Sequence, residues 1–511
     1  MKEYVEVFRK ELSSFDEATR DFYTGKLSKQ EYKGISGGFG SYSERGGQRG
    51  MIRLRMTAGR VTQDKLAFVV ETAERLHVDT IKLTTCETIQ LHHLTGRQIL
   101  EVATQALDHG IVCRGGGGDH PRNVMVPPLS GVAPGETFDV VPYAEAVGDY
   151  LLSILEEIKM PRKLKVAFSN HPSNVTHATM RDLGFIARED GTFDVYSAGG
   201  IGPNPKKGVC VATQVPGDEI LYYVRAMVDT FIEHGNYQQR AKARTRYMQE
   251  TLGVDGYRNA YLEKLDAVKA KGGLDLHVVS QPVTKSGRGE LSGKRIIPQK
   301  QQGLYAVSYH PLGGTPSPAT LRKLLDVIQG LEAVEIRLAP EGTMYIINCT
   351  AEEAERVLEA TDDGAQTLFE HSVACIGASI CQQGVRDSQA LYHACVDAVR
   401  KAGLADGALP QIHISGCPSS CGSHQVGVIG FHGGVKVVDK VAQPAFTLHV
   451  NGCDRLGQER FGDSWGVILE NRIPDFLVAL GKKVSETGKS FMDWYPDHLE
   501  EMHALAEEYM A

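Results

Sequence analysis

The sequence predicts a duplicated architecture of mixed α+β and α/β type, with two copies of one half-molecule in a single chain. Two observations carry that prediction. A β-α-β-β-α series begins near Met51 and returns near Gly303, and a second pair of related segments follows each series. Length agrees, since 511 residues allow about three domains of ordinary size or two large ones.

In the first series MIRLRM (Met51 to Met56) reads as a strand and TQDKLAFVVETAERL, from Thr62, as an amphipathic helix. TIKLTT and TIQLHHL read as two short strands, and GRQILEVATQAL as a second helix. The second series repeats this order with GLYAVSY, SPATLRKLLDVIQGL, VEIRLAP, TMYIINC and AEEAERVLEA. IKLTTCETIQLHHL aligns without a gap on IRLAPEGTMYIINC, which sets Thr88 against Thr343. The larger units then match: KVAFSNHPSNVTHATMRDLGFIA, from Lys165, resembles IHISGCPSSCGSHQVGVIGFHG, from Ile412, in its central Pro-Ser and its closing Gly-Phe. Between them lie KKGVCVATQVPG, the helical and charge-rich QQRAKARTRYMQETLG, and the loop-like KSGRGELSGKRIIPQKQQG. Two pseudo-symmetric halves predict a cleft suited to a large ligand.

Composition narrows the function. With 42% hydrophobic and 23% charged residues the chain is not mainly disordered. Its balance of 55 Lys+Arg against 63 Asp+Glu, a net charge of −8, argues against a dedicated nucleic-acid binder but is compatible with a local basic pocket. The first residues are charged throughout and lack the apolar region of a secretory signal, and no apolar run reaches the ~18–20 residues of a membrane span. A cytoplasmic protein is expected, without a membrane partner. Its ten cysteines are then free thiols or metal ligands rather than disulfides.

Four cysteines stand in paired spacing. Cys375 and Cys381 form C-x5-C in ACIGASICQQG, and Cys417 and Cys421 form C-x3-C in GCPSSCGSHQ. Four thiolates from two loops suit zinc or an iron–sulfur cluster, and the wide first spacing is poor for a zinc knuckle. The first copy carries His171-Pro-Ser-Asn-Val175 in place of Cys417-Pro-Ser-Ser-Cys421, so only one copy holds the metal site. Cys113, Cys210, Cys349, Cys395 and Cys453 have no paired spacing and are given no role. Most histidines, His92 and His93 among them, read as structural or solvent-facing. The clusters GGFG, GGGG and GGIGPNP match no nucleotide-binding motif and read as turns, so electrons are expected from a separate donor.

The cysteine pairs and the duplication resemble the sirohaem-dependent nitrite and sulfite reductases. The resemblance runs from about Gly37 through the last cysteine loop. It implies an N-terminal segment with a first ferredoxin-like half-repeat (1–110) and a first sirohaem-binding α/β domain (111–290). A second ferredoxin-like half-repeat (291–362) and a cluster- and sirohaem-binding C-terminal domain (363–511) would follow. It further implies that Cys375, Cys381, Cys417 and Cys421 hold a [4Fe–4S] cluster, with Cys421 also bridging to the sirohaem iron. Such a shared thiolate would couple an electron reservoir to the substrate-binding iron.

An anionic macrocycle and an anionic substrate need fixed cations. The resemblance carries active-site roles to Lys163 and Lys165 of PRKLK, which share a face at strand spacing, and to Arg122 of DHPRNVM. It carries cofactor contacts to Arg122, Arg162, Lys300 of PQKQQG and Gln90 of TTCETIQ. One position departs from the family: Cys86 stands where an arginine is usual in T-T-R-x-x-x-Q. A neutral thiol there would withdraw a permanent charge from the anion site. Lys165 points towards sulfite, since nitrite-specific relatives often carry asparagine at that place. The implied reaction is the six-electron reduction of sulfite to sulfide, with nitrite to ammonia as the alternative and ferredoxin as the donor. Outside that class stand a haem-free iron–sulfur electron carrier and a zinc-stabilised binding protein.

Overall fold

The computed structural model describes residues 3–279 and 282–511. The chain separates into two compact units. The first comprises 3–200, 206–309 and 316–362, and the second 201–205, 310–315 and 363–511. Among the described residues no helix is long and apolar enough to cross a membrane.

Within the first unit the two half-repeats fold alike. Strands Ser41–Ser43, Gly50–Arg55, Thr88–Leu94 and Ile81–Leu83 form one antiparallel sheet in that order. Strands Ile296–Pro298, Tyr305–Tyr309, Met344–Cys349 and Glu335–Leu338 form the second, and Arg60–Val61 from the first half-repeat adds its last strand. One apolar core runs under both, from Ile52, Leu54 and Ile89 to Val307, Ile336 and Ile346.

The duplication is written into the backbone as well as the strand order. Left-handed conformations recur at Glu87 and Gly342, and at His93 and Asn348, all at the register that pairs Thr88 with Thr343. Thr95 with Gln98, and Thr350 with Glu353, cap the following helices by the same reciprocal box.

The first unit's larger α/β part is a sheet of Val166–Ser169, Leu183–Ala187, Phe193–Ser197 and Val209–Val215. Helices Val141–Ser153, Ile220–His234 and Val254–Lys271 pack on its apolar side. The charge-rich stretch expected to be helical is broken: Arg240–Lys242 and Thr245–Tyr247 are 3-10 turns, and a short helix covers Met248–Leu252. The reason is its side-chain hydrogen bonding, since Thr245 and Arg244 both turn in to the buried Asp182.

The second unit repeats the plan with Val373–Ala374, Ile412–Ser415, Ile429–Val438, Val441–Val450 and Asp463–Leu469, over a core built on Phe431, Leu448 and Phe476. The first two strand pairings are parallel and the rest antiparallel. The matched loops share their left-handed residues, Asn174 and His177 in the first copy and Ser420 and Ser423 in the second.

Candidate active site

In the first unit four cations converge on Cys86. The tight turn from Thr84 to Thr88 closes through Glu87 N–H to Thr84 O at 2.9 Å, with Glu87 at φ 54°. Asn123 locks it by donating from Nδ2 to the carbonyls of Met56, Cys86 and Glu87 at 2.8, 3.1 and 3.1 Å. Arg53 reaches the site from strand Gly50–Arg55, where it pairs with Gln90, which in turn pairs with Lys82. Gln90 is buried in that row.

Lys163 and Lys165 flank the buried Leu164 on an extended segment running parallel to 120–122. Arg122 N–H donates to Leu164 O at 2.8 Å, which holds the PRN and PRKLK segments side by side. Arg122 donates from Nη2 to Gly118 O at 2.8 Å, while its Nη1 is buried without a hydrogen-bond partner. Arg181, fully buried, donates from Nε to Thr176 O at 2.8 Å.

The neutral-thiol expectation at Cys86 is corrected here. Burial alone would push the thiol up, but Lys165, which also hydrogen-bonds the sulfur, acts with Arg181 and Arg53 to bring it down to about 6. Cys86 is therefore mostly thiolate at neutral pH. The adjacent Glu87 moves the other way: burial holds its carboxyl well above the usual range. Cations outnumber anions, and Arg122, whose pKa burial lowers to about 10, keeps a buried donor unsatisfied. Such a cluster is built to receive an anion.

Two expected cofactor contacts lie in other company. Arg162 donates to Asp119 at 3.1 Å, and Asp119 also holds Arg240 at 2.8 Å. Lys300 is paired with Glu136 at 2.5 Å. Sequence reasoning missed Arg53, Arg181 and Asn123, although Arg53 alternates with Arg55 in MIRLRM and Asn123 follows Arg122 in DHPRNVM. The glycine clusters also matter more than as turns. A Cβ on Gly117 would meet Gly37 O at 2.4 Å, so the GGFG and GGGG segments pack backbone against backbone and fix the loop that ends at Arg122.

The second unit holds the four paired cysteines. Val373–Ala374 and Ile412–Ser415 are adjacent parallel strands, so the loops leaving their C-terminal ends meet. Gly416 N–H donates to Cys375 Sγ at 3.2 Å, and Ser388 Oγ lies 3.0 Å from the same sulfur. A Cβ on Gly416 would land 2.4 Å from Arg386 O. Burial raises the Cys381 thiol, and the nearby Cys375 and Cys417 sulfurs raise it further. Cys421 is exposed, whereas the other three are half-buried. Among the described residues no three cysteine sulfurs lie within 4.8 Å of one another. A tetrahedral zinc with Zn–S of about 2.3 Å would need sulfurs about 3.8 Å apart, closer than any three of these cysteines come together.

Comparison with known proteins decides the family. Residues 42–107 match the nitrite/sulfite reductase ferredoxin-like half domain, and 117–269 match the nitrite and sulphite reductase 4Fe-4S domain. The chain carries two domains of the nitrite and sulfite reductase family. Sulfite reductase [ferredoxin] 1 of Mycolicibacterium paratuberculosis is 23% identical over 465 residues, spanning 87% of this chain and 81% of that one. Ferredoxin–nitrite reductase of Synechococcus elongatus is 26% identical, over 75% of this chain and 76% of its own length. The fold matches that of the Mycobacterium tuberculosis NirA protein with a TM-score of 0.79 at 21% identity, covering 97% of this chain and 96% of that one.

The reductase is thus an oxidoreductase of a family that carries sirohaem and a [4Fe–4S] cluster. Its residues fit both: an over-cationic pocket with an orphaned buried guanidinium donor, and four thiols on two loops that leave adjacent parallel strands. The match named for the cluster falls on the copy without the paired cysteines. The four paired cysteines lie in the second copy, which repeats that fold.

Proposed function

We propose that the reductase converts sulfite to sulfide, taking six electrons one at a time from a ferredoxin. The single observation that carries sulfite over nitrite is the convergence of Arg53, Arg122, Lys165 and Arg181 on one turn, with Lys165 hydrogen-bonded at its centre. Four cations match a dianion better than a monoanion. Ferredoxin is the donor named for relatives of both substrate types.

Cys375, Cys381, Cys417 and Cys421 would hold the cluster, and Cys421, the exposed thiol, would also serve the sirohaem. Those groups supply the electrons and the iron at which substrate is reduced. The chain's own residues do the rest. Arg122 and Arg53 fix the anion by charge-assisted hydrogen bonds, and Lys163 and Lys165 bring protons to the sulfur-bound oxygens as they leave as water. Reducing sulfite to hydrosulfide consumes six electrons and seven protons and releases three waters, so a proton-donating lysine pair is as necessary as the electron path. Arg162, Lys300 and Gln90 would be the residues that hold the macrocycle. A cytoplasmic setting, where the ten cysteines stay reduced, accompanies this reading.

The deciding experiment is steady-state kinetics of the purified holoenzyme with sulfite and with nitrite, using reduced ferredoxin and then an artificial donor. The expected result is a higher kcat/KM for sulfite with either donor. A clear preference for nitrite transfers the same site to ammonia formation.

A further inference from the structure

A second cluster of ligating side chains lies in the second unit, on the face of its sheet turned away from the apolar core. In the antiparallel pair Ile429–Val438 and Val441–Val450, Gly430 stands opposite His449 and His432 opposite Thr447. Alternation sends Phe431 and Leu448 into the core and His432 and His449 to the other side as diagonal neighbours. Nδ1 of His432 lies 2.7 Å from Nε2 of His449. The third ring is His424, from the loop after Cys421. A Cβ on Gly430 would fall 1.9 Å from His424 O, so the missing side chain is what lets this loop settle on the strand. The three ring centres form a near-equilateral triangle with sides of 4.9, 4.9 and 5.0 Å. Nδ1 of His424 is buried without a hydrogen-bond partner, and the residue is 1% exposed.

We propose that His424, His432 and His449 form a separate metal centre, a three-imidazole site for a divalent first-row transition ion, with zinc as the best match. The potential ligand atoms of all three already lie within 4.8 Å of one another. With Zn–N of about 2.0–2.1 Å, imidazoles around one tetrahedral ion have ring centres roughly 5 Å apart, as found here. Binding would open the His432–His449 contact to about 3.3 Å, a small rotation of two half-buried rings. Burial and the neighbouring imidazoles also hold His424 down at about 2 and His432 at about 4, so both present the neutral, ligating form. Three protein ligands leave the fourth position to water or a small anion.

The first copy argues against a purely architectural role. There Gly184 makes the same close approach, 1.9 Å from Ala178 O, and stands opposite Tyr196. The positions of His424, His432 and His449 are filled by Ala178, Ile186 and Tyr196. The backbone arrangement is thus achieved without a single histidine, and the imidazoles were added to one copy only.

The test uses the holoenzyme, dialysed against a chelator and titrated with zinc alone at neutral pH. Retained metal is counted by elemental analysis, and X-ray absorption is recorded at the zinc edge. The expected result is one zinc per chain beyond the iron, with nitrogen or oxygen scatterers at about 2.0 Å. His432→Gln and His449→Gln should each weaken retention at least about tenfold with iron content and visible spectrum unchanged. His503→Gln, on helix Leu499–Glu507 and outside the triad, should bind zinc normally. No zinc retained by the wild type, undiminished zinc in both variants, or sulfur scatterers at about 2.3 Å would each overturn the site. Should the variants lose iron through misfolding, the wild-type absorption spectrum alone decides between nitrogen ligands and none.

Discussion

Cys86 concentrates the chemistry of the pocket into one side chain. Its thiol falls to about 6 against an ordinary value of 9.0, so the folded state holds the thiolate where the unfolded chain holds the thiol. The resulting stability is fully present above pH 9 and is lost as pH falls through about 6. Alkylation of Cys86, followed by peptide mass mapping against pH, should therefore rise with a midpoint near pH 6, well below that of Cys210, whose thiol burial raises. A midpoint above pH 8 would remove the thiolate. Because that thiolate neutralises part of the cation cluster, Cys86→Ser should tighten sulfite, lowering KM by about threefold to tenfold, or roughly 1 kcal/mol. Lys165→Met should do the reverse and also release the thiol: kcat falls steeply while the denaturation midpoint moves little, and the alkylation step shifts to higher pH. The sequence announced Cys86 as an exception but not its charge. That charge depends on Lys165 and Arg181, which lie about eighty and ninety-five residues away in the chain and meet it only through packing.

At the scale of elements, short connections decide whether a ligand set assembles. Gly416 links Ile412–Ser415 to Cys417, and its α-carbon has no room for a methyl group between Arg386 O and the Cys375 sulfur, 2.4 and 3.6 Å from a Cβ. Gly416→Ala should push the two cysteine loops apart and lower cluster iron per chain, read by elemental analysis, while the far-UV spectrum stays native. The capping boxes make a gentler test: Thr350→Ala should cost about 1 kcal/mol in chemical denaturation. The secondary structure was legible because these devices are local. Caps, apolar periodicity and turn residues all sit within a few positions of one another, so the repeat could be aligned at Thr88 and Thr343 by eye. The stretch around Arg240 to Leu252 was not, since helix propensity there loses to Asp182, which draws in Arg244 and Thr245 from far along the chain. The His424, His432 and His449 group was equally hidden, because a sheet diagonal plus a loop leaves no spacing rule in the sequence.

For the whole molecule, duplication followed by unequal specialisation explains where function resides. Both copies keep the same strands and the same left-handed loop residues, yet the cysteine pairs occupy only the second and the cation cluster only the first. Removing one thiol should therefore act on electron flow and not on folding. Cys421→Ser is expected to abolish sulfite turnover and alter the visible spectrum. Cys395→Ser, a buried thiol raised beyond the range in which it ionises, should leave both intact. Normal turnover in Cys421→Ser would end its assignment as the shared ligand.

The strand Arg60–Val61 crosses from one half-repeat to complete the other's sheet, and Arg60 fastens that crossing through Glu335 and Glu145 at 2.8 and 2.7 Å. Cutting the chain at the apparent repeat boundary would strip this strand from Glu335–Leu338 and leave a row of open amides and carbonyls there. A fragment spanning 291–362 should consequently seek another molecule's edge and associate. Any ancestor made of one copy would have met the same need, and a twin of itself was the nearest thing able to fill it.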